Sequence, residues 1–205
     1  MRIDSSVLDA DKAYRLMSGI VVPRPIAWVT SLSASGVVNL APFSAFTFVS
    51  LKPPMLAISI GHKAGVYKDT AQNILRNEEF VIHIADSALM TAVHESSAEY
   101  PPEVSEVEQL GLDTMPSELI KVPRLVVAPI AMECRFRHCL EFGESRTRLI
   151  VGEVLMFHVR DGLVQNDKIE TAALDPIARI AGPRYGRLGE IVTLKTVAQT
   201  PYSES

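Results

Sequence analysis

The sequence has little cysteine and no segment suited to a membrane or to export. Its two cysteines, Cys134 and Cys139, have an odd spacing that puts them on opposite faces of a single strand, where they are poorly placed to pair. Two reduced thiols are typical of a reducing compartment. No apolar run is long enough to cross a bilayer, and the N-terminus lacks the apolar core of a secretory signal. We therefore expect a cytoplasmic protein with no membrane partner.

Several kinds of functional site also lack their sequence signals. The formal net charge is −4, with 20 basic and 24 acidic residues and no basic run, which argues against nucleic acid as a partner. The five histidines are scattered, and no Cys or His spacing resembles a metal motif, so no metal ligand is predicted. No GxGxxG turn joins a strand to a helix, which argues against a Rossmann nucleotide site.

What the chain does have is a series of apolar runs separated by turns, with only short helical patterns between them. Hydrophobic residues make up 47% of the 205 residues, enough for one sizeable core without a disulfide or a metal. Many strands with few helices favour an antiparallel β-barrel with peripheral helices over a doubly wound parallel sheet. The sequence predicts a single domain over residues 1–205.

The stretch from Pro23 to Ser50 is the most informative part of the chain. Its apolar runs Ile26–Leu32 and Val37–Phe43 flank a turn and predict a hairpin. Pro42 cannot donate a ladder hydrogen bond, so it marks an edge strand or a bulge. Small and polar residues interrupt the runs where a plain core strand would carry Val or Ile: Thr30, Ser31, Asn39, Ala41, Pro42 and Ser44. We interpret this stretch as one wall of a site for a flat ligand with polar edges.

A second candidate feature is the start of a helix near Asp69. The spacing of Asp69 and Gln72 resembles a capping box, which predicts that a helix begins there with Asp69 as its cap. Free backbone N–H groups at that end, with Lys68 and Thr70 beside them, would suit a phosphate. On the local pattern alone, an ordinary helix cap with a solvated lysine is the more common explanation.

Two further segments allow more than one interpretation. Arg24 lies between two prolines that fix an extended backbone, so it either stiffens the entry to the first strand or presents a cation to a ligand. Residues 96–122 are long for a bare connection and predict a lid, an excursion over the barrel or a partner-facing arm. The acidic residues of this segment are interpreted as a solvated face rather than a catalytic carboxylate pair: Glu99, Glu103, Glu106 and Glu108.

Several stretches follow one another in a recognisable order: Pro23–Ala27, Asn39–Ser44 with Phe46, Pro53–Pro54, Lys68–Thr70 with Asn73–Ile74, and Gly182–Glu190. Each motif is weak alone, but their order and spacing extend over nearly the whole chain, from about Tyr14 to Leu194. Together they resemble the flavin reductase-like family of FMN-binding split barrels. Two positions depart from the family pattern, since His62 replaces an expected Arg and Arg184 replaces a common Asp.

The resemblance implies a fold, a cofactor and a set of site residues. The implied fold is mainly β, a six-stranded antiparallel Greek-key split β-barrel with short peripheral helices. The implied assembly is a homodimer that binds FMN near the dimer interface. Carried over by motif, the cofactor-binding residues are Arg24, Thr30, Ser31, Asn39, Ala41, Pro42, Ser44, Phe46, Lys68, Thr70, Tyr185 and Arg187.

The resemblance also implies an activity, which is transfer of a hydride from NADH or NADPH to flavin. Such a reaction is carried by the cofactors, so we predict no catalytic acid or base, in agreement with a chain that shows no triad or carboxylate pair. An oxygenase or another electron acceptor is the expected partner. The alternatives are an FMN electron-transfer protein without nicotinamide activity, and an oxidase related to pyridoxamine-phosphate oxidase. The oxidase would need a second phosphate pocket, and the sequence offers no extra basic cluster for one.

Overall fold

The structure is a computed structural model, and it describes residues 1–63, 65–195 and 197. Within these residues, seven antiparallel strands form the main sheet. The strands are β1 (Ala27–Leu32), β2 (Val38–Phe43), β3 (Phe46–Leu51), β4 (Pro54–Ile60), β5 (Glu79–Ile84), β6 (Ile130–Phe142) and β7 (Thr147–Val159). Their order across the sheet is β2-β1-β5-β6-β7-β4-β3.

β1 and β2 form the predicted hairpin. Ala27 pairs with Phe43 and Leu32 pairs with Val38. The turn is closed by a 2.9 Å hydrogen bond from the Ser33 backbone N–H to the Val37 carbonyl. Pro42 lies on an edge strand, as its missing N–H requires.

The two edge strands of the sheet are neighbours in the chain, and this makes the sheet curl. Only Ser44 and Ala45 separate β2 from β3, so their adjoining ends lie within about 11 Å of each other. A seven-stranded sheet whose first and last strands meet in this way must be rolled into a barrel. The predicted mainly β, antiparallel fold is confirmed, with seven strands rather than six because β3 pairs with β4 along its length.

β6 and β7 form a long hairpin of 13 residues on each strand. A bulge between Phe136 and His138 changes the alternation of side chains along β6. As a result Cys134 and Cys139 both pack on the same core, and the prediction that they face opposite ways is wrong. Both thiols are free. On β7, Gly152 allows a close approach, since a Cβ there would lie 2.4 Å from the Phe80 ring.

Short helices and short strand pairs surround the barrel. No helix among the described residues is long and apolar enough to cross a bilayer. The α-helices are α1 (Ala10–Ile20), α2 (Asp69–Asn77), α3 (Met90–Glu95), α4 (Glu106–Gln109) and α5 (Thr171–Leu174), and the 3₁₀ turns are Ser5–Val7 and Ser87–Leu89. The short antiparallel pairs are Arg24–Pro25 with Ala178–Arg179, Ala178–Arg179 with Tyr185–Gly186, His62–Lys63 with Val66–Tyr67, Thr114–Met115 with Arg124–Leu125, and Val164–Gln165 with Lys168–Ile169.

Two buried clusters lie on either side of the β1–β2 hairpin. The larger fills the barrel and includes Val29, Phe80 and Ile150, with Ile74 of α2 packed against them. The other lies outside the barrel, where Trp28 of β1 packs with residues of α3 and α4: Val93 and Val107. Because β2 has α2 on one side and the α3–α4 region on the other, a cleft forms along it.

Candidate functional site

The cleft runs along β2, between the amino end of α2 and the segment that follows α3. Its volume is about 280 Å³, close to the lower end of the range for small-molecule sites. Five residues that the sequence predicted for the site meet here: Asn39, Ala41, Pro42, Lys68 and Thr70. The other lining residues are Phe43, Val66, Tyr67, Asp69, Ser96, Ser97, Ala98, Glu99, Tyr100 and Glu106.

The β2 side of the cleft combines small apolar residues with one amide. Ala41 and Pro42 give a low surface on which a flat group can lie. The Nδ2 of Asn39 donates to the hydroxyl of Thr70 at 3.0 Å, which joins the strand to the helix. The ammonium of Lys68 lies 5.8 Å from the centre of the Phe43 ring, within the range of a cation–π contact.

The amino end of α2 faces the cleft without a side-chain cap. Lys68 is the N-cap residue, and its carbonyl accepts hydrogen bonds from the N–H groups of Ala71 and Gln72. Asp69 is the first helical residue, so the predicted helix is confirmed but the predicted capping role of Asp69 is wrong. The side chain of Gln72 instead donates to the Tyr67 carbonyl at 2.8 Å. An uncapped helix start beside a lysine is suited to an anion. The positive end of the helix dipole and the charge of the Lys68 ammonium both attract it.

The opposite side of the cleft is built by the segment after α3, and the sequence did not predict it. Ser96 accepts a 2.9 Å hydrogen bond from the indole of Trp28 and donates to the Val93 carbonyl. These buried bonds fix the start of the Ser96–Tyr100 run. The long connection after α3 was a signal that this segment covers another part of the molecule, although it did not identify the residues.

Glu106 of α4 lines one side of the cleft, and its position differs from the solvated acidic face expected from the sequence. Its carboxylate accepts the Leu40 backbone N–H at 2.8 Å, and the residue is 7% exposed. Burial raises the pKa of this carboxyl. The interpretation of Glu106 as part of a solvated acidic face is therefore wrong, because the carboxylate bonds to β2. The remaining acids of that set are exposed as expected: Glu99, Glu103 and Glu108.

Arg24 and Ser44 lie apart from the lining of the cleft described above and bind each other. The Nε of Arg24 donates to the Ser44 hydroxyl at 3.2 Å. Its other nitrogens donate to the carbonyls of Ser18, Val21 and Ile180. This guanidinium therefore ties the end of α1 and the region near residue 180 to the β2–β3 connection.

Three more predicted residues lie outside the cleft lining, two of them on β1 and one on β3. Thr30 and Ser31 are fully buried on β1. The Thr30 hydroxyl donates to the Pro123 carbonyl at 2.8 Å, and the Ser31 hydroxyl accepts from Asn73 of α2 at 3.2 Å. Phe46 is half-buried against the barrel core.

Tyr185 lies against the end of α3 and Arg187 against Asp175, and neither belongs to the cleft lining. The Tyr185 hydroxyl accepts from Arg179 at 2.5 Å and lies 3.2 Å from Nδ1 of His94, two residues before Ser96. Arg187 pairs with Asp175 at 2.6 Å and lowers the pKa of that carboxyl. Tyr185 thus contacts the end of α3 close to Ser96, whereas Arg187 is bound to Asp175, the residue after α5.

His62 contacts the cleft indirectly, through Tyr67. The two ring centres are 3.9 Å apart. The Nδ1 of His62 is buried and has no hydrogen-bond partner in the part of the chain that the structure describes. A buried nitrogen without a partner next to the amino end of α2 fits a site that binds a further polar group.

The geometry defines what the cleft can bind. Ala41 and Pro42 provide a flat apolar surface, Asn39 and the exposed Ser97 provide polar groups, and the uncapped helix provides an anion site. A planar ring system with polar edges and a phosphate on a short chain has the same three features.

Comparisons with known proteins point in the same direction. Residues 17–173 match the family described as the flavin reductase like domain. An uncharacterised protein of Halalkalibacterium halodurans is 42% identical over 199 residues, which cover 95% of each chain.

Two solved structures are similar to this chain over nearly their whole length. Nitrilotriacetate monooxygenase component B from Bacillus cereus superposes with a TM-score of 0.91 and 38% identity, covering 95% of this chain and 98% of the other. The 2-nitrobenzoate 2-nitroreductase of Pseudomonas fluorescens superposes with a TM-score of 0.88 and 33% identity, covering 98% of both chains. These findings confirm the predicted family and, together with the curled antiparallel sheet, the predicted split-barrel fold.

Proposed function

Because the chain belongs to the flavin reductase-like family, we propose that it binds FMN as one domain over residues 1–205 and reduces it with NADH or NADPH. The observation that carries the proposal is the cleft along β2. It places a flat apolar surface and the uncapped amino end of α2 within one small-molecule site. The residues present fit FMN, since each part of that cofactor has a matching part of the cleft.

In this proposal the residues of the cleft bind FMN and orient its ring. Lys68, Thr70 and the first N–H groups of α2 hold the phosphate, while Asn39 contacts the polyol chain or the polar edge of the ring. Ala41 and Pro42 support the ring face. Bound FMN supplies the hydride-accepting chemistry, so no side chain is required as a general acid or base. The protein positions the ring, excludes water from it and leaves one face accessible to the nicotinamide.

The remaining predicted residues support the cleft from behind. Thr30 and Ser31 hold β1 against α2 and the 123 region through their hydroxyls. Arg24, Ser44 and Phe46 fix the β2–β3 connection next to the cleft. We propose that Tyr185 and Arg187 act beside the Ser96 side, where the nicotinamide nucleotide enters.

The first experiment is the visible spectrum of the protein purified without added cofactor, followed by anaerobic addition of NADH and then NADPH. We expect flavin absorbance that bleaches with at least one of the two nucleotides. Flavin bands that persist with both would support the electron-transfer alternative. A protein that contains no flavin and takes up none from added FMN would overturn the proposal.

A lysine substitution tests the assignment of the phosphate site. Lys68→Ala removes a cation from the amino end of α2, so FMN affinity should fall by about tenfold, the effect of losing one charge-assisted contact. The matched control is Lys12→Ala, which removes an exposed lysine that pairs with Asp9 on α1. Fluorescence titration with FMN measures both variants. Equal affinities for the two variants and the wild type would contradict the assignment.

We propose that a separate oxygenase receives the reduced flavin. The support is the similarity to component B of nitrilotriacetate monooxygenase, a protein named as one component of a monooxygenase. Reduced FMN released by this protein should then sustain turnover of an oxygenase in a coupled assay. A reduced flavin that never leaves the protein would exclude this role.

A second candidate function is reduction of a small aromatic compound on the protein itself. The support is the 33% identical 2-nitrobenzoate 2-nitroreductase. In that case a nitroaromatic compound should reoxidise the bleached flavin under anaerobic conditions while the flavin remains bound. Reoxidation that requires free FMN would favour the flavin reductase.

We also propose that the protein is a homodimer, as the resemblance implied. The supporting observation is a strip of exposed apolar side chains on β3 and at the end of α1, which Arg24 holds together. Apolar patches of this kind mark interaction sites. The strip consists of Phe48, Val49, Leu51, Met17, Ile20 and Val21.

A further inference from the structure

The ring of Tyr67 is held by two neighbouring side chains at the rim of the cleft. Tyr67 ends the short strand Val66–Tyr67 and directly precedes Lys68 in the cleft wall. His62, its partner across the short strand pair, places its ring centre 3.9 Å away. Arg148 of β7 places its guanidinium carbon 3.1 Å from the centre of the ring. These stacking and cation–π contacts restrict the ring to one orientation.

The hydroxyl of Tyr67 is held as firmly as its ring. It donates to the Glu141 carboxylate at 2.6 Å, and the same carboxylate accepts from Arg146 at 3.0 Å and from Arg148 at 3.2 Å. The hydrogen bond from Tyr67, followed by those from the two arginines, lowers the pKa of Glu141 to about 2. Glu141 is therefore ionised at neutral pH and acts as a strong acceptor.

The backbone of Tyr67 is fixed as well. The Gln72 side chain of α2 donates to the Tyr67 carbonyl at 2.8 Å. The next residue, Lys68, accepts the first hydrogen bonds of the helix with its own carbonyl. The backbone of Tyr67 is therefore bonded to the first turn of α2, directly before the N-cap residue Lys68.

Folding stability explains this cluster only in part, because Glu141 pairs with one largely buried arginine, Arg148, and with one exposed arginine, Arg146. Arg146 has a side chain that is 67% exposed, and ion pairs at exposed positions contribute little to folding. The cluster does join the tip of the β6–β7 hairpin to a cleft residue 74 positions earlier in the chain. A role in positioning Tyr67 explains why an ion pair with an exposed arginine is present and why the hairpin tip is joined to the cleft.

We infer that Tyr67 is a positioning residue for the phosphate of a flavin nucleotide. The tip of the β6–β7 hairpin, through Glu141 and Arg148, fixes Tyr67, and Tyr67 fixes Lys68 and the first turn of α2. This inference rests on the proposed function and deepens it, since it assigns the preference for FMN over unphosphorylated riboflavin to contacts outside the cleft.

Two substitutions separate positioning from simple electrostatics. If Glu141 acted only through its negative charge, Glu141→Gln would strengthen phosphate binding, because a repulsive charge is removed. If it acts by holding Tyr67, the same substitution weakens phosphate binding. Tyr67→Phe removes the hydroxyl without changing any charge at neutral pH, so it tests positioning directly.

The experiment measures the affinities of FMN and riboflavin for the full-length protein by fluorescence titration. We expect FMN affinity to fall about three- to tenfold in Tyr67→Phe and in Glu141→Gln, with riboflavin affinity unchanged. The matched control is Glu153→Gln, which breaks a pair with Arg137 on the same two strands and leaves the Tyr67 contacts intact. This control should leave the FMN-to-riboflavin ratio at its wild-type value.

Each outcome decides between the proposals. An unchanged ratio in Tyr67→Phe, or tighter FMN binding in Glu141→Gln, would overturn the positioning role while the proposed function stands. A wild-type protein that binds neither flavin would overturn the proposed function and this inference with it.

Discussion

His83 is a fully buried histidine that connects three segments of the chain. Its Nε2 lies 2.9 Å from the backbone N–H of Leu125, which can only donate, so Nε2 is the acceptor. Nδ1 therefore carries the proton and donates to the Trp28 carbonyl at 2.9 Å. Burial, reinforced by the nearby charge of Arg124, lowers the pKa of His83 from 6.5 to about 4. The native state thus requires the neutral imidazole.

This histidine predicts a loss of stability in mild acid. Between pH 6.5 and about 4 the unfolded chain binds a proton at His83 that the native state does not, so stability falls as the pH falls. The slope from this group approaches about 1.4 kcal/mol per pH unit within that window and vanishes above it. Urea unfolding at a series of pH values measures the slope.

The control for this prediction is a side chain that cannot titrate. His83→Gln is expected to start from a lower stability at pH 7.5 and to lose the part of the slope that His83 supplies. The same pH dependence in both proteins would show that other groups cause the acid sensitivity.

Individual residues of the cleft differ in how far the sequence could predict them. Asn39 was predictable because an amide on an apolar strand is unusual. Lys68 and Thr70 became candidates through the family resemblance, since a solvated lysine at a helix start is common locally. Glu106 was not, since its bond to the Leu40 N–H joins residues 66 positions apart. Its acidic neighbours in sequence remain exposed, so composition alone assigned all four to solvent. Only the fold distinguishes the buried acid from the exposed ones.

At the scale of elements, the far end of the 96–122 segment is held by two carboxylates from adjacent strands. Glu133 of β6 is fully buried, and its two oxygens accept the backbone N–H groups of Glu118 and Leu119 at 2.7 Å. His158 of β7 contacts Glu133 at 2.6 Å. Burial acts to raise the pKa of Glu133, but these partners outweigh it and lower the pKa. Glu79 of β5 accepts the N–H of Lys121 in the same way.

Neutralising Glu133 should therefore open this end of the segment. In Glu133→Gln one amide oxygen replaces two charged acceptors, so a backbone donor is left without its partner, at a cost of about 1–3 kcal/mol. We expect faster hydrogen exchange in peptides covering residues 117–122 and unchanged exchange in α2. Mass spectrometry of exchanged peptides measures both regions. Unaltered protection at 117–122 would show that Glu79 and local packing suffice to hold the segment.

Elements were more predictable than the contacts between them. The β1–β2 hairpin followed from two apolar runs around a turn, and α2 followed from the spacing of Asp69 and Gln72, which resembles a capping box. The N-cap of α2 was not predictable in this way. The Gln72 side chain donates to the Tyr67 carbonyl, and Asp69 is the first residue of the helix rather than its cap. That contact depends on Tyr67 being held by Glu141 and Arg148, which come from the distant β6–β7 hairpin.

At the scale of the molecule, closing the barrel leaves an apolar strip on the outer surface formed by β3 and the end of α1. β3 is an edge strand, and its side chains Phe48 and Leu51 are 69% and 82% exposed. The end of α1 adds Ile20, which is 72% exposed. Arg24 joins these elements, because it binds the Ser18 carbonyl of α1 and the Ser44 hydroxyl before β3. An exposed edge strand with apolar side chains is a liability unless another chain covers it.

The last prediction tests whether a second copy of the chain covers this strip. Phe48→Glu combined with Leu51→Glu places two charges where an interface needs apolar contact, so the double variant should be a monomer. It should retain its fold, because both side chains are exposed. Light scattering coupled to size-exclusion chromatography measures the mass, and circular dichroism checks the fold. The matched control, Val164→Glu, changes an exposed valine on a different strand pair and should leave the dimer intact. A wild-type monomer, or a double variant that remains dimeric, would contradict the proposed interface.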